Sequence, residues 1–225
     1  MDKTQLKRHD LVFVSSAGKD KMWRELSGSY TGDARQMVQE VLLGAADVPG
    51  FVRRSETRPE EIALGFVHHR RLQGNRIRIG AFTAMQDIVM VMSPYEVMQR
   101  KAFAFDASTQ CIETLLKLYA LAAEYDLQIG ALGSAALELA TDLPYTDDAS
   151  DVDLLIKPAS YERLLDFYRT AQENFGRVKL DFELELPNGY GVKLAEIFAD
   201  TRTVLGKSLD DVNLLYRADI MKYLM

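Results

Sequence analysis

Residues 178–186 read Val-Lys-Leu-Asp-Phe-Glu-Leu-Glu-Leu, an unbroken two-residue alternation. Successive side chains of a β-strand point to opposite faces. Val178, Leu180, Phe182, Leu184 and Leu186 therefore share one face, and Lys179, Asp181, Glu183 and Glu185 share the other. A helix would scatter both sets around its circumference, so the stretch reads as a half-buried strand. Its apolar face must be covered, and its other face carries a row of carboxylates. Such a strand calls for a sheet with helices packed against it, an α/β or α+β architecture.

The flanking sequence supplies those helices. Residues 109–125 have helical spacing, with Leu115, Leu116, Tyr119, Leu121 and Ala122 on or beside the apolar stripe. Residues 129–132 form a short apolar strand that closes on Gly133-Ser134, and a helix over 135–140 is broken by Leu143-Pro144-Tyr145-Thr146. A strand over 152–156 is followed by a helix over 160–174, with Tyr161, Leu164, Leu165 and Tyr168 inward. After the acidic strand, Pro187-Asn188-Gly189-Tyr190-Gly191 turns the chain back into residues 192–197.

The first half is β-rich and more irregular. Strands are predicted at 11–14, 62–67, 77–81 and 88–92, and Met37, Val38, Val41 and Leu42 give 35–43 a helical face. Ser93-Pro94-Tyr95-Glu96 is a helix start with Pro at the first helical position. The change of pattern near residue 105 suggests two domains: a smaller β-rich N-terminal domain over 1–105 and a catalytic α/β domain over 106–225.

Charge divides the same way. Residues 1–105 carry 16 Lys and Arg against 12 Asp and Glu, whereas 106–225 carry 11 against 21, for a net of −6. That balance argues against general binding to a nucleic-acid backbone. No apolar run reaches the length of a membrane span. The polar N-terminus and the single cysteine, Cys111, point to a cytoplasmic location.

The chemistry lies in the acidic half. In Ser150-Asp151-Val152-Asp153-Leu154-Leu155, the two aspartates are i and i+2 at a strand's start, so they point to one side. Carboxylates on rigid elements suit a hard cation such as Mg²⁺, which neutralises charge in phosphoryl and nucleotidyl transfer. Asp-x-Asp alone recurs by chance in an acidic chain; the order of elements gives it meaning. Upstream, the Gly133-Ser134 turn opens a helix and offers N–H groups and a hydroxyl to phosphate. Downstream, the acidic strand supplies a third carboxylate, Asp181 or Glu183.

Seven arginines occupy residues 51–80, of which Arg53 and Arg54 are the preferred phosphate ligands. Ordinary ion pairs to Glu56, Glu60 and Glu61, or docking of an acidic partner, are the other uses of this set. His68 and His69 are adjacent on a strand, and so are expected to face opposite ways. Asp210 and Asp211 read as surface charge or a helix start.

Gly133-Ser134, the Asp151-Val152-Asp153 strand and the later single carboxylate resemble the DNA polymerase β-like nucleotidyltransferase superfamily. Within it, the run from Gly133-Ser134 through Leu143-Pro144-Tyr145 to Ser150-Asp151-Val152-Asp153-Leu154-Leu155 is similar to one family. That family is the malonate decarboxylase holo-acyl-carrier-protein synthases, or phosphoribosyl-dephospho-CoA transferases. Arg8-His9-Asp10-Leu11-Val12, Val52-Arg53-Arg54, Ile62-Ala63-Leu64-Gly65-Phe66, Met92-Ser93-Pro94-Tyr95-Glu96 and Leu180-Asp181 with Leu186-Pro187-Asn188-Gly189 resemble the same family. Val67-His68-His69 and Ala136-Leu137 depart from its usual pattern.

The resemblance implies a nucleotidyltransferase-type mixed sheet flanked by helices, and a Mg²⁺-dependent transfer. The serine hydroxyl of an apo acyl-carrier subunit of malonate decarboxylase would attack 2′-(5″-triphosphoribosyl)-3′-dephospho-CoA and release pyrophosphate. Asp151 and Asp153 would bridge two Mg²⁺, Asp181 would complete the attacking-side ion, and Gly133 and Ser134 would hold phosphates. The alternatives are an ATP-dependent adenylyltransferase and, in another class, a non-catalytic nucleotide- or partner-binding module.

Overall fold

The computed structural model describes residues 5–54, 58, 60–101 and 109–225. The expected boundary near residue 105 and Glu56 fall outside these residues. Two compact units form, Met1–Ser93 with Thr141–Tyr145, and Pro94–Ala140 with Thr146–Met225.

The first unit is a five-stranded sheet with two helices. Its strands are β1 (Leu11–Val14), β2 (Gly50–Val52), β3 (Glu61–Leu72), β4 (Asn75–Ala84) and β5 (Ile88–Met92). They lie in the order β4-β3-β2-β1-β5, and every pair is antiparallel. Helix α2 (Gly32–Leu43) buries Met37, Val38, Val41 and Leu42, the face that the spacing marks. Helix α1 (Ser16–Leu26) is an addition to the sequence reading. It starts where the Ser15 hydroxyl accepts the Gly18 N–H at 3.1 Å, and buries Met22. Its Lys19 is buried too, and donates to Asp47 Oδ1 at 2.6 Å and the Val48 carbonyl at 2.9 Å.

The two histidines differ from expectation. The register of β3 against β4 shifts between Val67 and Arg71, which breaks the alternation locally. The rings of His68 and His69 then stack, with centroids 4.5 Å apart. His68 is fully buried; its Nδ1 accepts the Arg70 N–H at 2.9 Å, so Nε2 carries the proton donated to Glu40 at 3.0 Å. The pair is therefore used inside the first unit.

The second unit is built on a six-stranded mixed sheet, in the order β11-β10-β9-β8-β7-β6. Its strands are β6 (Ile129–Ala131), β7 (Val152–Ile156), β8 (Leu180–Glu185), β9 (Gly191–Lys193), β10 (Thr203–Lys207) and β11 (Val212–Tyr216). Only β7 and β8 are parallel among the described strands, and parallel neighbours need a crossover. Helix α6 (Tyr161–Phe175) is that crossover. The Ser160 hydroxyl caps it, and Leu164, Phe167 and Ala171 are its buried face. Phe167 stacks on Phe182 of β8 at 5.7 Å, so the alternation of the acidic strand is matched by this helix. Burying Phe182 and Leu184 contributes about 1.5–3 kcal/mol each. Helices α3 (Pro94–Lys101), α4 (Gln110–Glu124), α5 (Gly133–Thr141), α7 (Leu194–Phe198) and α8 (Arg217–Met221) complete the unit.

One expectation near the C-terminus is corrected. The return strand stops at Lys193 and continues as the short helix α7. Of the two readings of Asp210 and Asp211, surface charge holds: both are exposed, in the turn of the β10–β11 hairpin rather than at a helix start. There Ser208 donates to Asp211 Oδ1 at 2.9 Å, and the Asp210 and Asp211 N–H groups bond to the Ser208 hydroxyl. The fold is a mixed α/β protein of the α+β kind.

Candidate active site

Strand register assembles the carboxylates. In the parallel β7–β8 pair, Val152 lies opposite Leu180 and Asp153 opposite Asp181. The two aspartates are thus neighbours across the sheet on the half-exposed face. Glu183 lies opposite Leu155, a buried residue packed with Tyr95 and Leu132. Glu185 is farther along still, and its carboxylate accepts the Tyr95 hydroxyl at 2.7 Å. Burial, then that hydrogen bond to Glu185, hold the Tyr95 hydroxyl well above its usual pKa. Of the acids on this strand face, Asp181 is the one beside Asp153.

The Gly-Ser turn abuts the same carboxylate. β6 runs antiparallel to β7, and the Leu132 N–H donates to the Asp153 carbonyl at 3.0 Å. The next residue, Gly133, adopts φ +58°, in the left-handed region that favours glycine. A Cβ there would lie 2.6 Å from Asp153 Oδ2, so glycine is required twice over. Helix α5 starts at this point, with Ser134 half-buried in its first turn. The free N–H groups and positive dipole end of a helix start suit an anion.

Two lysines accompany the acids. Lys179 donates to Asp151 Oδ2 in a short ion pair, and Lys193 donates to Asp181 Oδ2 at 2.6 Å. These hydrogen bonds raise the pKa of both ammonium groups. Both lysines are exposed, so the pairs add little stability. They set the local charge instead, with two ammoniums beside the Asp151, Asp153 and Asp181 carboxylates. Neither lysine was singled out in the sequence. The alternation placed Lys179 on the acidic face, but its pairing with Asp151 needs the register of β7 and β8.

Three carboxylates are a hard-oxygen donor set, the chemistry Mg²⁺ prefers. Among the described residues, no three His, Cys, Asp or Glu side chains converge closely enough to hold one metal ion as they stand. The side chains of Asp151 and Asp181 are oriented towards their lysines. The donor types and strand register fit a divalent cation; the side-chain directions are those of ion pairs.

The sequence-marked arginines belong to the first unit. Gly65 of β3 lies directly opposite Gly80 of β4, and the Arg53 side chain lies over this bare pair. Arg54 is exposed beside it. Arg76 donates to the carbonyls of His69 and Tyr145 through short hydrogen bonds, and Arg58 lies 3.8 Å from the Phe82 ring centroid. Arg76 is thus committed to holding the chain, while Arg53 lies on exposed backbone.

Cys111 in α4 is buried, and its thiol donates to the Asp151 carbonyl at 3.2 Å. Burial, and after it the negative charge of Asp153, push its pKa up to about 12, the opposite of a nucleophile's environment.

Comparison with protein families completes this picture. The Phosphoribosyl-dephospho-CoA transferase MdcG C-terminal domain matches residues 96–218, and the Phosphoribosyl-dephospho-CoA transferase MdcG N-terminal domain matches residues 7–94. The C-terminal match holds Gly133, Ser134, Asp151, Asp153 and Asp181; the N-terminal match holds Arg53 and Arg54. Both models describe a transferase, and the chain is an enzyme of that class. It belongs to the phosphoribosyl-dephospho-CoA transferase family. No curated protein and no solved structure was matched. No helix among the described residues is long and apolar enough to cross a membrane.

Proposed function

We propose that the protein transfers the phosphoribosyl-dephospho-CoA group from 2′-(5″-triphosphoribosyl)-3′-dephospho-CoA to a serine of the acyl-carrier subunit of malonate decarboxylase. The observation that carries the chemistry is the Asp153–Asp181 pair set against the φ-positive Gly133 turn. It brings carboxylates and a helix start together, as transfer to and from a phosphate requires. The family match carries the choice of substrate.

In this reading the serine oxygen bonds to the α-phosphorus, and the bond from that phosphorus to the pyrophosphate oxygen breaks. The hydroxyl proton passes to water, and pyrophosphate leaves. Mg²⁺, when bound, supplies charge neutralisation at the attacking and leaving oxygens. Asp151, Asp153 and Asp181 would hold it. The N–H groups at the start of α5 and the Ser134 hydroxyl orient the phosphates. Lys179 and Lys193 are cations within reach of the same carboxylates and offer further phosphate contacts. In the first unit, Arg53 lies on the Gly65–Gly80 surface, an arrangement suited to phosphate oxygens.

The test is the intact mass of apo acyl-carrier subunit incubated with the protein, Mg²⁺ and the triphosphoribosyl substrate, with ATP in a parallel tube. A gain of one phosphoribosyl-dephospho-CoA group, absent with Asp151→Asn, is expected. A gain with ATP alone would instead identify an adenylyltransferase, and no gain in either tube would reject the acceptor.

A further inference from the structure

Helix α5 contains a carboxylate that the reaction above does not use. Glu138 is 2% exposed, in a helix whose other inward residues are Ala135, Ala136, Leu137 and Leu139. A carboxylate so deeply placed needs strong donors. Its Oε2 accepts the Thr146 N–H at 2.6 Å and the Thr146 hydroxyl at 2.8 Å. The Thr146 hydroxyl also meets the Thr109 hydroxyl at 2.6 Å, and Thr109 caps helix α4. Thr146 is itself buried, 6% exposed.

Thr146 begins the loop that delivers the aspartates. The remainder of that loop is held by its own turn: Ser150 Oγ accepts the Asp147 N–H at 2.9 Å and donates to Asp147 Oδ1 at 3.0 Å. At the loop's far end, the Cys111 thiol holds the Asp151 carbonyl. Glu138 thus lies one turn below the Gly133-Ser134 start of its helix and grips the first residue of the loop leading to Asp151. One buried carboxylate joins the anion-binding end of α5 to the strand start carrying Asp151 and Asp153.

We propose that Glu138 is a positioning residue, which through Thr146 fixes the Asp151–Asp153 segment against the Gly133-Ser134 turn. The inference rests on the functional reading above for its effect on turnover, and on geometry alone for its effect on the loop. Carboxylates need placement to a fraction of an ångström, and partners that orient a site's ligands commonly contribute about 10–100-fold in affinity or activity.

The experiment compares wild type with Glu138→Leu, Thr146→Val and Thr146→Ser in the intact chain. Three properties are read: amide hydrogen exchange over residues 146–153, melting temperature, and kcat and KM from pyrophosphate release. Glu138→Leu removes the oxygen that accepts both Thr146 donors, and Thr146→Val removes the hydroxyl. Both are expected to speed exchange across 146–153 and to lower kcat by about 10–100-fold with KM little changed. Thr146→Ser keeps both donors and is expected to restore wild-type exchange and kcat. A purely structural role would lower the melting temperature and leave kcat of the folded fraction intact; that result overturns the proposal. Unchanged exchange in Glu138→Leu also overturns it, whatever the activity. If wild type releases no pyrophosphate from this substrate, the functional reading fails, and the exchange data alone decide whether Glu138 holds the loop.

Discussion

Gly133→Ala tests the joint between the turn and the carboxylate. Two separable costs follow from the geometry. A residue with a Cβ at φ +58° sits in the left-handed region, at a cost of about 1–2 kcal/mol. The new methyl would also start 2.6 Å from Asp153 Oδ2. An ordinary close carbon–oxygen approach is about 3.3 Å, so the carboxylate must retreat by roughly 0.7 Å. Misplacement by 1 Å can cost about 10²-fold in rate, so a loss on the order of 10–100-fold is expected. The backbone cost alone lowers the melting temperature by about 2–8 °C. Gly189→Ala separates the two: Gly189 has φ +84° in a turn, but nothing lies within 4 Å of its built Cβ. It should reproduce the thermal loss and keep turnover. The assays are thermal melting and pyrophosphate release on all three proteins. Wild-type turnover in Gly133→Ala, or an equal loss of turnover in Gly189→Ala, would refute the reasoning.

Asp151→Asn should reduce turnover by at least about 10²-fold. Its partner Lys179 is 72% exposed and stays solvated, so the melting temperature should hardly move; a marked drop in circular-dichroism melting would assign Asp151 a structural role. Glu40 has its pKa lowered from 4.5 to about 2, first by the His68 hydrogen bond and then by Arg70. Its stabilisation is present above pH 4.5 and is lost as pH falls towards 2. The urea midpoints of wild type and Glu40→Gln should therefore differ at pH 7 and converge near pH 2, and a constant gap would count against this pair. Cys111 should resist iodoacetamide at pH 8 in the native protein and react once unfolded, as mass spectrometry would show; rapid native labelling would contradict its burial.

Much of the second unit was legible because its signals are local. The alternation over 178–186 reports one strand and its exposed face, and Leu180–Glu185 forms β8 with Phe182 and Leu184 buried. The strands over 11–14 and 152–156 are as read, and helix α2 buries its predicted face. The rest was hidden for different reasons. Helix α1 is largely polar, with Gly18, Lys19 and Met22 as its buried residues, so no apolar stripe announces it; its Ser15 cap was the available signal. The β10–β11 hairpin escaped because β11 is an edge strand whose Val212, Leu214 and Tyr216 are exposed, so its hydropathy matches no burial pattern. The stacked histidines depend on a register shift, which single-strand alternation cannot foresee. Glu138 lay inside an apolar helix with no local mark of its partner eight residues on.

The site shows the same division between local and non-local information. Asp151, Asp153 and Asp181 stand out by spacing along the chain, but their electrostatic state depends on what register brings beside them. Asp151 meets Lys179 because β7 and β8 are parallel and aligned at Val152–Leu180; Asp181 meets Lys193 across the antiparallel β8–β9 pair. The Asp151 and Asp181 carboxylates are thus each matched by one ammonium. Both ammoniums are solvent-exposed, so phosphate oxygens can compete for them at modest cost. Each lysine that turned to phosphate would leave its aspartate without a counter-charge, and a divalent cation is the natural replacement. In the proposed reaction the lysines would thus reconcile an acidic strand face with an anionic substrate, and would link phosphate binding to cation binding.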